Sequence, residues 1–403
     1  MPTRRVANQS SSIAGWPDAH SQLRLQEDQP VPIHSTQPQL SNAHICLLGA
    51  PSLLHQPKRR NMTLVTVCIP TYNRQSYLRE ALDSVLAQTF HDFEVLVSDN
   101  GSVDGTEELV RSYSNVDRRI RYERLAHNYG LAHNFRRVLS RPSTKFVAYL
   151  PDDDLWCPHH LETAVSALED NASATLYGCT AAFFGNDTYG GRFHRPSWAM
   201  RPGQSRYCLD TSRQFCLFLQ ENPIAPVSVL FRRVAHSNVR WYRDDTFAPM
   251  DWMLWGQIAL RGSFIFDSEV GVRLRWHSGN LSHSLLTGKR ANAQRRYVVR
   301  RLAALALEAG ALRPDDLVEE VLQSWPVGSA ANLVLALASL DSPNALRDAA
   351  KAIFLRSPDI QTSMKHCRMA GQVGVWYLGW SDVIDRALSK WWCPSPAPEE
   401  SPS

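Results

Sequence analysis

Short apolar runs alternate with amphipathic segments between residues 64 and 150. Four runs rich in β-branched and aromatic residues predict strands over Leu64–Ile69, Phe93–Ser98, Ile120–Leu125 and Lys145–Leu150. Apolar residues at helical spacing predict helices over Tyr77–Ala87, Thr106–Tyr113 and Leu131–Leu139. Strands that recur every ~25 to 30 residues with helices between them are typical of repeated βαβ units. The pattern therefore predicts an α/β fold with a mainly parallel sheet flanked by helices.

The second half of the chain is less regular. Residues 180–245 mix aromatic residues, Pro and Arg in short segments, which predicts loops and a few extra strands that cover a site. A Trp-rich helix is predicted over Met250–Leu260, followed by two short strands over Phe264–Asp267 and Val272–Trp276. Ala and Leu dominate from Ala291 to about Leu388, which predicts a C-terminal helical extension. Breaks are expected at Pro314, Pro326, Pro343 and Pro358.

The two ends of the chain have a different composition. Residues 1–61 are rich in Ser, Pro, Gln and His without periodicity, which predicts disorder. A mis-assigned start, with translation beginning at Met62, explains the same stretch, and both interpretations stay open. The predicted organisation is an α/β domain over 62–288, helices over 289–393 and a disordered tail over 394–403.

Charge and cysteine usage narrow the function classes. The net charge of +4 over 403 residues is far below that of a typical nucleic-acid-binding protein, so no nucleic-acid partner is expected. The 8 cysteines form no CxxC pair, which favours reduced thiols in a cytosol over disulfides or a zinc site. No apolar run reaches the ~18 to 20 residues that a membrane span needs. A cytoplasmic protein is expected.

Polar clusters follow three of the predicted strands, at Pro70–Arg74, Asp99–Ser102 and Asp152–Asp154. Parallel strands bind ligands at their carboxyl ends, so the three clusters are expected to form one site. The first offers a hydroxyl, an aromatic ring and an amide to a flat heterocycle, and Asp99 is available to accept from a ring N–H. The carboxylates of the third suit a hard divalent cation that bridges to phosphates. Together they predict a site for a nucleoside diphosphate.

The motifs that surround these clusters occur in the order found in a known enzyme family. The chain resembles the family 2 glycosyltransferases over roughly residues 64–285, in these segments: Val65–Arg74, Ser84–Phe90, Phe93–Thr106, Asn128–Asn134, Pro151–Pro158, Met250–Trp255 and Arg275–Ser282. Each segment alone is weakly specific, but their common order is highly specific. The resemblance implies a GT-A fold, a nucleotide-sugar donor such as a UDP-sugar, Mg²⁺ or Mn²⁺, and inversion at the anomeric carbon.

The resemblance also implies roles for individual residues. The donor nucleotide would contact nine residues: Pro70, Thr71, Tyr72, Asn73, Arg74, Asp99, Asn100, Asn128 and Asp152. Asp153 and His277 would bind the metal, and Asp251 would act as the general base. The acceptor would be a hydroxyl of a glycan, a lipid-linked sugar or a small molecule in cell-surface polysaccharide synthesis. Peripheral contact with the inner face of the plasma membrane, through arginines on the first C-terminal helix, competes with a solvated basic face.

The sequence departs from the family pattern in three places. Pro151 replaces the first acid of the usual acidic run, and Met250 stands where a Glu commonly precedes the base. The third departure is the absence of the Gln-x-x-Arg-Trp motif of polymerising members, so transfer of a single sugar is expected. Within the acidic run itself, Asp154 is expected to cap the helix that follows.

Other interpretations stay open from the residues alone. Asp251 is also a possible N-cap of the Trp-rich helix, and Trp252 and Trp255 fit a buried core better than a sugar platform. A nucleotidyltransferase would need a Gly-rich phosphate loop after the first strand, which Pro70–Arg74 lacks. A catalytically degenerate binding scaffold would not need Asp99, Asp153 and Asp251 together.

Overall fold

The computed structural model describes residues 63–185, 193–194, 196, 205–209, 211–237, 239–241, 249–277, 280, 288–325, 327–339 and 342–369. In chain order its strands are β1 (Val65–Thr71), β2 (Phe93–Asp99), β3 (Ile120–Arg124), β4 (Phe146–Tyr149), β5 (Leu155–Trp156), β6 (Ala174–Phe184), β7 (Phe193–His194), β8 (Arg206–Leu209), β9 (Leu230–Arg232) and β10 (Ser263–Arg275).

The helices lie between and after these strands. They are α1 (Gln75–Leu86), α2 (Thr106–Val116), α3 (Leu131–Ser140), α4 (His160–Asp170), α5 (Thr211–Gln220), α6 (Arg233–His236), α7 (Met250–Ala259), α8 (Gly288–Glu308), α9 (Pro314–Ser324), α10 (Val327–Leu337), α11 (Asn344–Arg356) and α12 (Pro358–Met369). A short 3-10 helix covers Pro226–Ser228.

The strands form one mixed sheet in the order β3-β2-β1-β4-β9-β6-β10-β5, with β7 on β6 and β8 on β10. Strands β1 to β4 pair in parallel, as do β6 and β10, whereas β9 is antiparallel to both of its neighbours. The predicted mainly parallel α/β architecture is confirmed. Because β1, β2 and β4 run in the same direction, their carboxyl ends meet at one edge of the sheet.

Helices cover both faces of the sheet. One buried cluster joins the apolar residues of α1, α2 and α4 to one face, and a second joins those of α3, α5, α7 and the C-terminal helices to the other. Every residue of β1 is buried, which agrees with a strand that packs on both faces. Trp252 and Trp255 are 6% and 0% exposed and belong to the second cluster, so they are core residues.

Two parts of the sheet differ from the sequence-based expectation. The two strands predicted over Phe264–Asp267 and Val272–Trp276 are one 13-residue strand, β10, which ends one residue before Trp276. The polar stretch at Ser268–Glu269 looks like a turn in the sequence, yet β-bulges between Asp267 and Val272 keep the pairing with β6. The 11-residue strand β6 and helix α5 were not predicted at all.

The predicted C-terminal helices are confirmed as far as residue 369. Pro314 and Pro358 begin α9 and α12, and Pro343 precedes α11. Helix α8 packs against α5 and α7, so the helical extension continues the core of the sheet domain. No described helix is long and apolar enough to cross a membrane. The predictions for residues 1–61, Pro326 and 394–403 lie outside the described residues.

The basic group on α8 is mostly covered by protein. Of its four arginines, Arg295 is exposed, whereas Arg296, Arg300 and Arg301 are half-buried. The Arg300 guanidinium donates a 2.5 Å hydrogen bond to the hydroxyl of Ser339. One exposed arginine would contribute only about 1 kcal/mol to binding at an anionic membrane surface, so the structure adds no support to the expected membrane contact.

Candidate active site

The loops after β1 and β2 are tied together by side-chain hydrogen bonds. Asn73 adopts a left-handed backbone (φ 52°), its backbone N–H donates to the Ser102 hydroxyl (2.9 Å), and its side-chain oxygen accepts from the backbone N–H of Val103 (2.8 Å). Pro70 and Thr71 are buried at the end of β1, while Tyr72 is 40% exposed at the rim. Of this predicted donor-binding group, Tyr72 therefore presents the accessible ring, and Asn73 fixes the loop.

Asp99 is fully buried and already hydrogen-bonded within the protein. Its Oδ1 accepts from the backbone N–H (2.8 Å) and hydroxyl (2.6 Å) of Ser102, and its Oδ2 accepts from the Tyr122 hydroxyl (2.5 Å). The Arg124 Nε lies 3.8 Å from the same Oδ2. These contacts give Asp99 the task of shaping the loop that faces the predicted base, in addition to any contact with a ligand.

The turn after β3 is held to the loop after β2 by two amides. The Asn100 side-chain nitrogen donates to Asn128 Oδ1 (2.7 Å) and to the Gly130 carbonyl (3.0 Å), and Asn100 Oδ1 accepts from the Tyr129 backbone N–H (3.0 Å). Tyr129 is 41% exposed, and its ring stacks on that of His133 and lies tilted against that of His127. The structure thus places Asn100 and Asn128, two of the residues predicted to bind the donor nucleotide, side by side.

The three carboxylates after β4 are buried next to one arginine. Asp152, Asp153 and Asp154 are 7%, 7% and 2% exposed. Arg74 Nη1 contacts Oδ2 of Asp153 and lies 3.5 Å from Oδ1 of Asp152. Burial, and then the charge of Asp153, raise the pKa of Asp152 to about 7, although the positive charge of Arg74 acts in the opposite direction. The positive charge of Arg74 thus offsets only part of the cost of holding these neighbouring carboxylates in a buried position.

Asp154 does not cap the following helix, contrary to the prediction. Helix α4 begins at His160, and Asp154 instead accepts a 2.8 Å hydrogen bond from the backbone N–H of Arg275. Arg275 also donates from its side chain to the Asp153 carbonyl (2.7 Å) and to Glu80 (2.7 Å). The physical reason is the distance along the chain: β5 intervenes between Asp154 and the helix, so the carboxylate meets the end of β10 first.

His277 lies beside Asp153, the other residue predicted to bind the metal. Its Nε2 is 3.1 Å from Asp153 Oδ2, and its ring stacks on Tyr77 of α1 with centroids 4.9 Å apart. Carboxylate oxygen and imidazole nitrogen are suitable donors for Mn²⁺ or Mg²⁺, so this pair fits a divalent cation. No group of three or more His, Cys, Asp or Glu suited to a metal occurs among the described residues, so further ligands would have to come from elsewhere.

Asp251 is the second residue of α7 rather than its N-cap, a position that Pro249 occupies. The Asn222 side-chain amide donates to Asp251 Oδ2 at 2.9 Å. Burial raises the pKa of Asp251 to about 6, while the backbone N–H groups of the first turn and the Asn222 amide act in the opposite direction. A carboxylate with a pKa near the working pH is well suited to take a proton from a substrate hydroxyl.

Tyr149, at the end of β4, lies near the helix that carries Asp251, since its ring centroid is 6.3 Å from that of Trp255 on α7. Burial raises the pKa of its hydroxyl well above the ordinary value, and the negative charges of Asp251, Asp152, Asp153 and Asp154 raise it further, in that order. A single buried hydroxyl therefore lies in the field of all four carboxylates. The structure brings the predicted base and the predicted metal side to the same edge of the sheet.

Several residues of this site have no role in the sequence-based prediction, among them Ser102, Tyr122, Tyr149, Asn222 and Arg275. Ser102 and Arg275 lie inside the quoted motifs, so their position was visible although their contacts were not. Tyr122 follows the alternation of β3. Asn222 lies in the irregular region 180–245, where no pattern distinguishes it from its neighbours.

Comparisons with known proteins agree with this geometry. The family described as Glycosyl transferase family 2 matches residues 66–240. An uncharacterized glycosyltransferase of Rickettsia typhi is 27% identical over 226 residues, which are 55% of this chain and 67% of that protein. The UDP-Glc:alpha-D-GlcNAc-diphosphoundecaprenol beta-1,3-glucosyltransferase WfgD of Escherichia coli is 32% identical over 133 residues, 33% of this chain and 51% of that enzyme. The match thus spans about half the length of the E. coli enzyme.

A solved structure shares the fold. The crystal structure of S. aureus TarS 1-349 in complex with UDP-GlcNAc superposes with a TM-score of 0.54 and 16% identity, covering 81% of this chain and 92% of that one. This likeness confirms the predicted GT-A architecture, a mixed sheet flanked by helices and followed by further helices.

Proposed function

The chain belongs to glycosyl transferase family 2, and on that premise we propose that it moves one sugar from a UDP-sugar to a hydroxyl, with inversion at the anomeric carbon. The observation that carries the proposal is the convergence of Asp251, with its pKa near 6, and the Asp153–His277 pair at one edge of the sheet. A uridine nucleotide is favoured because TarS was crystallised with UDP-GlcNAc and the E. coli relative is named for UDP-Glc.

In the proposed reaction the acceptor oxygen forms a bond to the anomeric carbon from the face opposite the diphosphate. The bond between that carbon and the phosphate oxygen breaks, and its electron pair leaves with the nucleoside diphosphate. Asp251 takes the proton of the acceptor hydroxyl. Asp153 and His277 would hold a divalent cation, which when bound stabilises the negative charge on the departing diphosphate.

The acceptor is proposed to be a sugar on a lipid carrier or a glycan of the cell surface. The E. coli relative is named for an acceptor linked to diphosphoundecaprenol, which is the supporting observation. The proposed location is the cytosol, where five described cysteines with free thiols, two of them at least partly accessible, would remain reduced.

A thermal-shift panel tests the donor first. UDP-, GDP-, dTDP- and CDP-sugars are each added with and without Mn²⁺, and a UDP-sugar with Mn²⁺ is expected to raise the melting temperature most, since binding stabilises the native state by mass action. Product from the best donor is then analysed by NMR for the anomeric configuration. Retention of configuration, or no shift with any nucleotide, would refute the proposal. Asp251→Asn should abolish transfer, whereas the exposed Asp170→Asn on α4 should leave it intact.

A further inference from the structure

The guanidinium of Arg74 lies where the predicted metal ligands meet. Arg74 is the residue before α1, and its Nη1 contacts Oδ2 of Asp153 while lying 3.5 Å from Oδ1 of Asp152. Its side chain is 22% exposed, so it covers the carboxylates from the solvent side and is not itself part of the buried core. In this state a side chain of the protein itself supplies part of the positive charge that the adjacent carboxylates need, at Asp152 and Asp153.

The same oxygen of Asp153 also faces His277. Nε2 of His277 is 3.1 Å from Asp153 Oδ2, so this oxygen lies between the imidazole ring and the Arg74 guanidinium. A cation bound by Asp153 Oδ2 and His277 Nε2 therefore excludes the present arrangement, because the positively charged Arg74 guanidinium must leave Oδ2.

Arg74 would stay in the site after such a displacement. Its backbone is fixed by the loop between β1 and α1, where Asn73 is held to the loop after β2 by hydrogen bonds of 2.8 and 2.9 Å. Its guanidinium would then be a positively charged fork beside the acidic turn. Guanidinium groups match phosphate oxygens in a bidentate geometry, which an ammonium group does not. The nearest anion supplied by the proposed reaction is the diphosphate of the donor.

We propose that Arg74 is an exchangeable counter-ion: it occupies the Asp152–Asp153 carboxylates in the donor-free enzyme and transfers to the diphosphate when a metal and a nucleotide bind. The inference rests on the proposed function in its second half. Its first half, competition between Arg74 and a divalent cation, concerns only groups of this chain.

The exchange makes metal and nucleotide binding cooperative. A cation alone must break the contacts of Arg74 with Asp152 and Asp153, and this loss weakens its binding. A cation that arrives with a diphosphate gives the guanidinium a new partner, so each ligand strengthens the binding of the other by the same factor. Such coupling typically amounts to about 5- to 150-fold, and we expect a value in the lower part of this range, about 10-fold.

The competition between Arg74 and a divalent cation is tested by measuring Mn²⁺ binding, which needs no turnover. Bound Mn²⁺ is quantified from the decrease in the EPR signal of the free ion. It is measured at pH 8.5, above the pKa of about 7 to which burial raises Asp152, so that protons do not compete. Arg74→Met is expected to bind Mn²⁺ without nucleotide about 10-fold more tightly than the wild type. Arg111→Met, a change of an exposed arginine on α2 that pairs with Glu107 at 2.7 Å, should not alter it.

The second half is tested by calorimetry with UDP and with uridine, both in the presence of saturating Mn²⁺. Arg74→Met should bind UDP about 10-fold more weakly and uridine unchanged, because only UDP carries the diphosphate. Arg74→Lys keeps the charge without the fork, so it should leave Mn²⁺ binding near the wild-type value and still weaken UDP. This variant decides the second half if Arg74→Met fails to fold.

Two results would overturn the proposal. Mn²⁺ affinity that is unchanged or lower in Arg74→Met would show that Arg74 does not compete with the cation. UDP affinity that is unchanged in both variants would show that Arg74 does not reach the diphosphate. Failure of the wild type to bind any nucleotide would refute the proposed function instead, and the Mn²⁺ measurement would still decide the competition.

Discussion

The side-chain amide of Asn222 donates a hydrogen bond to Oδ2 of Asp251, with 2.9 Å between nitrogen and oxygen. This contact joins the irregular segment after α5 to the first turn of α7. It is the described side-chain contact that opposes the effect of burial on the pKa of Asp251, which lies at about 6. Asn222 is therefore in a position to set the protonation of the proposed base without touching the reacting atoms.

Replacing Asn222 by alanine should shift the pH profile of transfer. The amide favours the charged carboxylate, so its loss raises the pKa of Asp251 above about 6. A general base must be deprotonated, so activity falls as pH falls through that pKa, and the acid limb of kcat/KM should move to higher pH by about half a unit to one unit. Activity at pH 9 should change little. An acid limb that does not move would remove Asn222 from this role.

Asp251→Asn should abolish activity and yet stabilise the fold at high pH. The folded pKa of about 6 is above the ordinary value of 3.8, so the native state binds this proton more tightly than the unfolded state. The stabilisation from this group is complete below pH 4 and is lost as pH rises through 6. The variant should therefore be more stable than the wild type by about 1–3 kcal/mol at pH 8 and equal to it near pH 4.

Urea denaturation at several pH values measures this difference. Asp170→Asn, which changes an exposed aspartate on α4, serves as the control and should follow the wild type at every pH. An Asp251→Asn protein that is less stable than the wild type at pH 8 would mean that the carboxylate has charged partners that compensate its burial.

The sequence was sufficient for those strands that are buried on both faces. β1 reads as a continuous apolar run because helices cover both of its sides, and such a run is hard to mistake. β10 was divided into two because it leaves the core in the middle, where Ser268–Glu269 and two bulges interrupt the apolar pattern. Backbone pairing with β6 keeps that strand continuous, and this pairing cannot be predicted from the local sequence.

The structure brings several of the predicted site residues together, and their roles stay predictions. The order of the motifs was sufficient to predict that one site contains the residues Asp99, Asp152, Asp153, Asp251 and His277. The pairing of Arg74 with Asp153 and of Asn222 with Asp251 depends on side chains from 29 to 79 residues apart, which have no periodic relationship. Asp154 was assigned to the nearest helix because the sequence does not show that β5 and the end of β10 come between.

Tyr122→Phe should destabilise the protein more than Tyr113→Phe. The Tyr122 hydroxyl donates to Asp99, which is fully buried, whereas the Tyr113 hydroxyl donates to the exposed Asp83 at 2.6 Å. Removal of a donor to a buried carboxylate costs about 1.5–3 kcal/mol, and removal of one to an exposed carboxylate, which water can replace, costs below about 1 kcal/mol.

The same pair separates folding from function. Because Asp99 orders the loop that carries Ser102 and Asn100, Tyr122→Phe should also weaken UDP binding in calorimetry, and Tyr113→Phe should not. Equal effects of the two substitutions on both stability and UDP affinity would show that Asp99 does not depend on Tyr122.

Gly101 should be far less tolerant of a side chain than Gly310, although both have positive φ (80° and 67°). A Cβ on Gly101 would lie 2.6 Å from the backbone carbon of His127, whereas a Cβ on Gly310 would have no atom within 4 Å. Gly310→Ala should therefore lower the free energy of unfolding only through the strain of a left-handed backbone, by about 1–2 kcal/mol.

Gly101→Ala must in addition push the turn of Asn128 away from Asn100, which lengthens their 2.7 Å hydrogen bond. We expect a loss of about 3–4 kcal/mol in the free energy of unfolding and weaker UDP binding for Gly101→Ala alone. Equal losses in the two variants would show that the contact between these two loops is loose enough to yield.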